Sequence, residues 1–183
     1  MNATLAVTRL QFRIIGRDPW FLVIMFGMPL AIMPLMRETM GLSHQASGFT
    51  GADGAELAVP GLLVLFGFYV AGRTEFSLFR EHGWKTWDRL RASPATPRQL
   101  LAGFAIPWMV IHVLFQVALL SAGALFFGLR LEGSPIALLL VVAAFSFCVI
   151  SLVLMLAATF RTVNKVHGLD KLGAIVLGGI GGS

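Results

Sequence analysis

Residues Pro135–Phe160 read PIALLLVVAAFSFCVISLVLMLAATF, 26 positions without one charge. A bilayer core of roughly 30 Å takes about 20 apolar residues at 1.5 Å each, so this stretch is long enough to cross a membrane as a helix. Working outward, three more segments have the same character. Leu100–Gly128 has 29 residues, with only His112 and Gln116 strongly polar; Leu57–Gly72 has 16 and Trp20–Met36 has 17, both without charge. The last two are short, so their helices are expected to extend into flanking sequence or to sit in thinned bilayer. The long one, at about 43 Å (29 × 1.5 Å), is expected to tilt or to bend near Pro107, whose ring removes a helix hydrogen bond. A further apolar stretch begins at Leu172–Ile180.

Composition agrees with this reading. The chain has 183 residues, 57% hydrophobic and 13% charged, with mean hydropathy +0.82. Soluble domains run nearer 45–50% apolar and about 25% charged, which excludes a water-soluble globular domain. A disordered chain and a disulfide-stapled secreted module are excluded on the same grounds. Cys148 is the sole cysteine, so no intramolecular disulfide forms. The first span is not a cleaved signal peptide: a 19-residue segment precedes it, and Met33-Pro34-Leu35-Met36 offers no small-residue cleavage site. The fold class expected is all-α, a polytopic helical membrane protein. It has an N-terminal interfacial helix, four full transmembrane helices and the start of a fifth, in a single transmembrane domain over residues 1–183.

The net charge of +5 comes from 14 Lys+Arg against 9 Asp+Glu, and its distribution sets the topology. Arg9, Arg13 and Arg17 precede the first span. Arg73, Arg80, Lys85, Arg89, Arg91 and Arg98 follow the second, and Arg161, Lys165 and Lys171 follow the fourth, so 12 of the 14 basic residues share one side. Only Arg37 and Arg130 lie opposite. The positive-inside bias therefore expects a cytoplasmic N-terminus, external segments at Arg37–Glu56 and Leu129–Ser134, and cytoplasmic segments at Arg73–Gln99 and Arg161–Lys171.

The N-terminal stretch, 2–17, puts Arg9, Arg13 and Arg17 four apart on one helical face and Ala3, Val7, Leu10 and Ile14 on a neighbouring one. It reads as an elbow helix lying on the membrane surface, with its arginines toward anionic head groups, or as a basic flank that only sets topology. Leu5 and Phe12 fall outside the apolar face. Asp18-Pro19 ends the helix before the membrane is entered.

The cytoplasmic segment 73–99 contains Arg80-Glu81-His82-Gly83-Trp84-Lys85-Thr86-Trp87-Asp88-Arg89-Leu90-Arg91-Ala92-Ser93-Pro94-Ala95-Thr96-Pro97. Gly83 is suited to breaking a helix arriving from the second span. Trp84, Trp87, Leu90 and Arg91 then follow at i, i+3, i+6 and i+7, a short amphipathic helix ended by Ser93-Pro94. Thr96 is placed to cap the next helix, with Pro97 at its first position. The aromatic stripe reads equally as a docking knob or as interfacial tryptophan anchors.

These residues in this order resemble the ABC-2 type transporter permease family, including its drug- and antibiotic-exporting branch. The shared order is a basic elbow, a span, an external loop, a span, then Arg-Glu-x-Gly-x(6)-Leu-x-x-Ser-Pro before a long third span. Arg80, Glu81, Gly83, Leu90, Ser93 and Pro94 match; Phe79 stands where the family usually has a further Glu. Leu177-Gly178-Gly179 and Gly181-Gly182 are similar to the glycine-rich opening of the family's fifth span. The resemblance implies a permease subunit of an exporter in a bacterial inner membrane, moving a drug-like or lipid-like substrate. It implies that the 73–99 segment, with Trp84, Trp87 and Arg91 beside the matched residues, meets a separate ATP-binding subunit, present in two copies. It also implies a dimer with a second permease copy or homologue, and contact with membrane lipids but not nucleic acid. The family continues through a complete fifth span, a re-entrant segment and a sixth span, so the chain is expected to be a fragment, a truncated gene product or a split subunit.

No chemistry of its own is expected. No Gly-x-x-x-x-Gly-Lys-Ser/Thr phosphate loop and no His-Glu-x-x-His occurs, so neither an ATP site nor a metal or other cofactor is expected. The spans carry no Asp, Glu, Lys or Arg, against ion-coupled transport. His112 and Gln116, one turn apart, either line a polar pathway or bond to neighbouring helices. Ser121, Ser146 and Ser151 lack the acid that an intramembrane hydrolase needs. The class that competes with an exporter subunit is a small non-transporting membrane scaffold, immunity or assembly factor, and the Arg80–Pro97 segment separates the two: an exporter needs it to receive force.

Overall fold

The computed structural model describes residues 3–46, 54–83, 92–131, 133–159, 168, 171–173 and 175–176. Its elements are α1 (Ala3–Ile15), α2 (Pro19–Ala46), α3 (Ala55–Gly83), α4 (Pro97–Phe127) and α5 (Pro135–Thr159), with no strand among the described residues. The protein is all-α, with four helices long and apolar enough to cross a membrane, as expected.

The helix starts follow from local chemistry. Asp18 caps α2, its carboxylate accepting from the Phe21 N–H at 3.0 Å, and Pro19 takes the first helical position. Thr96 and Gln99 form a reciprocal capping box at the start of α4: the Gln99 N–H donates to Thr96 Oγ1 at 3.3 Å and the Thr96 N–H to Gln99 Oε1 at 2.9 Å. Pro97 again stands at the first turn. At the far end α4 closes on Gly128, with φ 77°, and the Leu129 N–H reaches back to the Gly123 carbonyl at 3.1 Å. Pro107 lies within the unbroken α4.

α3 is the axis of the bundle. It packs against α2, α4 and α5 and buries most of its span, whereas each of the other three buries about a third or less. The core between them is apolar, with Met25 and Met33 of α2, Leu62 and Phe68 of α3, Phe115 of α4 and Ile150 of α5 almost fully enclosed. A separate cluster of Val7, Leu78, Leu100 and Phe104 joins α1 to α3 and α4.

The end of the bundle that carries α1 has a defined plane. There the Arg73 guanidinium meets the Asp18 carboxylate at 2.9 Å, and Phe21 packs edge-on to Trp108 with centroids 6.0 Å apart. From this plane, α3 runs about 27 Å from Arg73 to Ala55 (18 × 1.5 Å), and α4 about 29 Å from Trp108 to Phe127 (19 × 1.5 Å). Both lengths fit one hydrocarbon core. Between Leu57 and Gly72, α3 carries no charge, as its sequence suggests. Lys171 belongs to the same end: its Nζ lies 4.3 Å from the Tyr69 ring centroid, one turn from Arg73.

The boundaries fill out the sequence reading. α3 runs on into flanking sequence and ends at Gly83, as expected, and the start of the α4 helix takes the last three residues of the 73–99 segment. α2 likewise continues past Met36 to Ala46, into the segment read as an external loop. The buried face of α1 is Val7, Gln11 and Ile15, not Val7, Leu10 and Ile14; Leu5, Leu10 and Phe12 are exposed, as are Arg9, Arg13 and Arg17. The roll of α1 is set by what it packs on. Gln11 Oε1 accepts from the Ser77 hydroxyl at 2.9 Å, and Val7 seats over Gly103.

That seat depends on glycine. A Cβ at Gly103 would lie 2.6 Å from Val7 Cβ and 2.8 Å from Val7 Cγ1. Gly103→Ala is therefore expected to lever α1 off α4, lowering stability by about 1–3 kcal/mol, the usual penalty of overpacking. Val7→Gly in the same chain removes both clashing atoms and should recover part of that loss, whereas Val7→Ala keeps the Cβ that makes the shorter contact. Thermal melting of the detergent-solubilised protein and hydrogen exchange across α1 measure both, and additive losses in the double variant would disprove the contact.

Candidate functional site

Two polar groupings stand out in an otherwise apolar molecule. The first is inside the membrane slab. His112 of α4 is fully buried, with Nε2 3.0 Å from the Gly67 carbonyl of α3 and Nδ1 2.9 Å from Ser146 Oγ of α5. Gln116, one turn along, brings its Nε2 to 3.3 Å from the same Nδ1. A carbonyl only accepts, so Nε2 carries the proton and donates to Gly67. In the neutral ring Nδ1 then accepts, from the Gln116 amide or the Ser146 hydroxyl. Ser146 has a second use for its proton, since its Oγ lies 2.7 Å from the Val142 carbonyl. One side chain thus ties three helices together, with every partner a hydrogen-bonding group. The sequence left His112 and Gln116 between a pathway and an interhelical contact; His112 makes bonds to two other helices, whereas Gln116 bonds to His112 along its own helix. Ser121 is not part of it and bonds back to the Val117 carbonyl on its own helix at 2.8 Å.

The second grouping lies at the α1 end, beyond the plane of Arg73. Thr74, Glu75, Ser77 and Glu81 of α3 and Gln11 of α1 are all buried. Arg73, with 35% of its side chain exposed, ion-pairs with Asp18 while its Cζ sits 4.4 Å from the Phe21 ring centroid and 5.6 Å from that of Phe76. Asp18 therefore caps α2 and binds α3 with the same carboxylate, which fixes the corner between α1 and α2 against α3. Sequence reasoning passed over Gln11, Thr74, Glu75 and Ser77, and read Asp18 only as part of a helix break. The signal was present: Arg73, Thr74, Ser77, Arg80 and Glu81 follow at i, i+1, i+4, i+7 and i+8, one polar stripe of a helix.

Of the residues singled out for the 73–99 segment, Arg80 is half-buried and Glu81 buried on this stripe, and Gly83 is the last described residue of α3. Ser93 is half-buried, its hydroxyl oxygen 3.4 Å from the Ala95 N–H, and Pro94 is exposed. Trp84, Trp87, Leu90 and Arg91, and with them the short amphipathic helix, lie outside the described residues. Among the described residues no group of His, Cys, Asp and Glu is arranged to hold a metal ion.

The profile of one protein family, described as ABC-2 type transporter, matches residues 2–169, nearly the whole chain. No curated protein and no solved structure matches it.

The His112 contacts have a measurable worth. Interhelical hydrogen bonds in membranes average about 0.6 kcal/mol and reach about 1.7 kcal/mol. His112→Leu, which loses the bonds to Gly67, Ser146 and Gln116, is expected to destabilise the bundle by about 1–2 kcal/mol, and Ser146→Ala by about 0.5 kcal/mol. A double-mutant cycle by denaturant unfolding in micelles reads the coupling directly. Strict additivity of the two losses would show that the pair does not interact.

Proposed function

This chain belongs to the ABC-2 type transporter family, and from that premise we propose that it is the permease subunit of a bacterial exporter for a drug-like or lipid-like substrate. It is a multi-pass membrane protein, a transmembrane transport component of a family that associates with ABC ATP-binding subunits. The finer reading has two permease subunits, one of them this chain, beside two ATP-binding subunits in the inner membrane. The α1 end faces the cytoplasm. Nucleotide is hydrolysed on the partner chains.

The observation that carries the reading is the continuity of α3 and α4 around the 84–96 connection. Each helix runs from the far end of the bundle through the membrane slab and on past the plane of Arg73, α3 to Gly83 and α4 from Pro97. A push on the connection is a push on two rods. α1 clamps both rods beyond the membrane, through Ser77 on α3 and Gly103 on α4. His112 and Gly67 join the same rods within it, about 6–9 Å past the plane (4 × 1.5 Å from Trp108, 6 × 1.5 Å from Arg73). Displacement at the connection is thereby passed to the bundle as a unit, a hinge or shear motion of packed helices. Arg80, Glu81, Gly83, Trp84, Trp87, Leu90, Arg91, Ser93 and Pro94 form the coupling segment in this reading. Trp and Arg are the residue types that dominate interface energies.

Two experiments test it. With Trp87→Ala and Arg91→Glu together, binding to the cognate ATP-binding subunit should weaken about 30-fold or more while membrane insertion is unchanged, as expected for loss of a side chain worth about 2 kcal/mol. Undiminished co-purification would remove the docking role. For orientation, Ser47→Cys and Ser93→Cys in a Cys148→Ser background are probed in intact cells with an impermeant thiol reagent. Labelling is expected at position 47 alone, and labelling at 93 alone would invert the topology.

A further inference from the structure

α2 is held differently at its two ends, and between them by apolar contact alone. At the far end its backbone passes close to the entry of α3, where a Cβ on Gly54 would stand 2.6 Å from the Gly41 nitrogen. At the near end the Asp18 carboxylate takes the Arg73 guanidinium at 2.9 Å, and the Arg73 Cζ lies 4.4 Å from the Phe21 ring centroid. Residues 21–36 carry no charged, hydroxyl or amide side chain. Their buried stripe is Phe21, Met25, Pro29 and Met33, and α2 buries a smaller share of its span than the other three long helices. Lipid matches apolar contacts of this kind, so they hold α2 weakly against the three helices that His112 ties together. Pro29 and Pro34 both lie inside α2. Each lacks the N–H that would bond four residues back, so the Met25 and Leu30 carbonyls lose their helix partners and the backbone bends most easily there.

We propose that the Arg73–Asp18 pair is a latch that decides whether the near half of α2 moves with α3. Closed, it joins residues 18–21 to α3, and the two helices shift together. Open, the near half of α2 pivots about the Pro29–Pro34 segment, while the far half stays at the Gly41–Gly54 contact. The exposure of the pair suits this role. With 35% of the Arg73 side chain and 46% of that of Asp18 exposed, water takes up both charges as they part. A pair of that kind is weakly held and opens readily, whereas separating a fully buried pair would strand two charges. Arg73 also stands where α3 leaves the membrane slab and runs on to Gly83, so a displacement of that extension arrives at the latch directly. The latch is a property of the bundle by itself and does not rest on the exporter reading.

The test is spin–spin distance measurement on the full chain in lipid nanodiscs, in a Cys148→Ser background. One label sits at Phe147 on α5, and the second at Val23, before Pro29, at Leu35, after Pro34, or at Leu114 on α4; all four positions are exposed. Arg73→Gln removes the charge from α3. Asp18→Asn removes it from α2 and keeps an oxygen for the Phe21 N–H. Each should raise the displaced population at Val23 about five- to thirtyfold, the scale of one exposed ion pair with a cation–π contact. Arg73→Lys, which keeps the charge, should restore most of the native distribution. Pro29→Ala with Pro34→Ala, added to Arg73→Gln, should narrow the Val23 distribution again, because the helix regains its two backbone bonds. The distances from Leu35 and Leu114 should stay as they are throughout. An unchanged Val23 distribution in both charge variants overturns the proposal. Equal displacement at Val23 and Leu35 overturns it too, since α2 would then move as one rod. So does broadening of the Leu114 distance, which would report loss of the fold and not release of a latch.

Discussion

The hydrogen bond from His112 to the Gly67 carbonyl is the constraint around which the membrane part of this protein is organised. Lipid is as apolar as the helices it surrounds, so burying leucine against leucine gives no strong reason for one packing over another. A buried imidazole does. Its two nitrogens need partners, and this packing of α3, α4 and α5 supplies the Gly67 carbonyl and Ser146, with Gln116 beside them on the same helix as His112. Glycine at 67 is part of that arrangement, because a Cβ there would stand 3.3 Å from His112 Nε2 and 3.1 Å from Phe145 Cε1. The register of three helices is thus tied to one side chain and the close approach around it.

Beyond the membrane plane the logic changes. α3 and α4 continue past the point where lipid would cover them, and α1 supplies the cover. Its contribution mixes an apolar seam, Val7 with Leu78, Leu100 and Phe104, with polar bonds that lipid cannot make, Gln11 to Ser77 and Asp18 to Arg73. The exposed ion pair alone is worth little, about 1 kcal/mol or less. Its value is geometric, since the same Asp18 carboxylate starts α2. A single residue therefore sets both where the first membrane helix begins and where it meets α3. The elbow thus packs on two long helices through Val7, Gln11 and Ile15.

The functional reading grows from these two fixed regions. One lies inside the membrane and one beyond it, and α3 and α4 connect them without a break. A family that couples a membrane bundle to ATP-binding partners needs such continuity, because force applied outside the membrane is useful only if the helices receiving it do not fold or slide independently.

Much of this was legible in the sequence. Four apolar runs, Asp18-Pro19 and Thr96-Pro97 were enough for the four long apolar helices among the described residues, the break between α1 and α2 and the start of α4. Those features are local: hydrophobic length is counted along the chain, and a cap needs only its own first turn. The roll of α1, the pairing of Arg73 and the partners of His112 were decided by tertiary structure. Each depends on a residue distant in sequence: Ser77 for Gln11, Asp18 for Arg73, Gly67 and Ser146 for His112. Gln11 lies inward against its polarity because Ser77 waits for it, and charged residues of α3 remain helical because α1 packs beside them. Periodicity reports which faces of a helix differ, but which face is buried depends on the neighbour, and the neighbour exists only once the chain has folded.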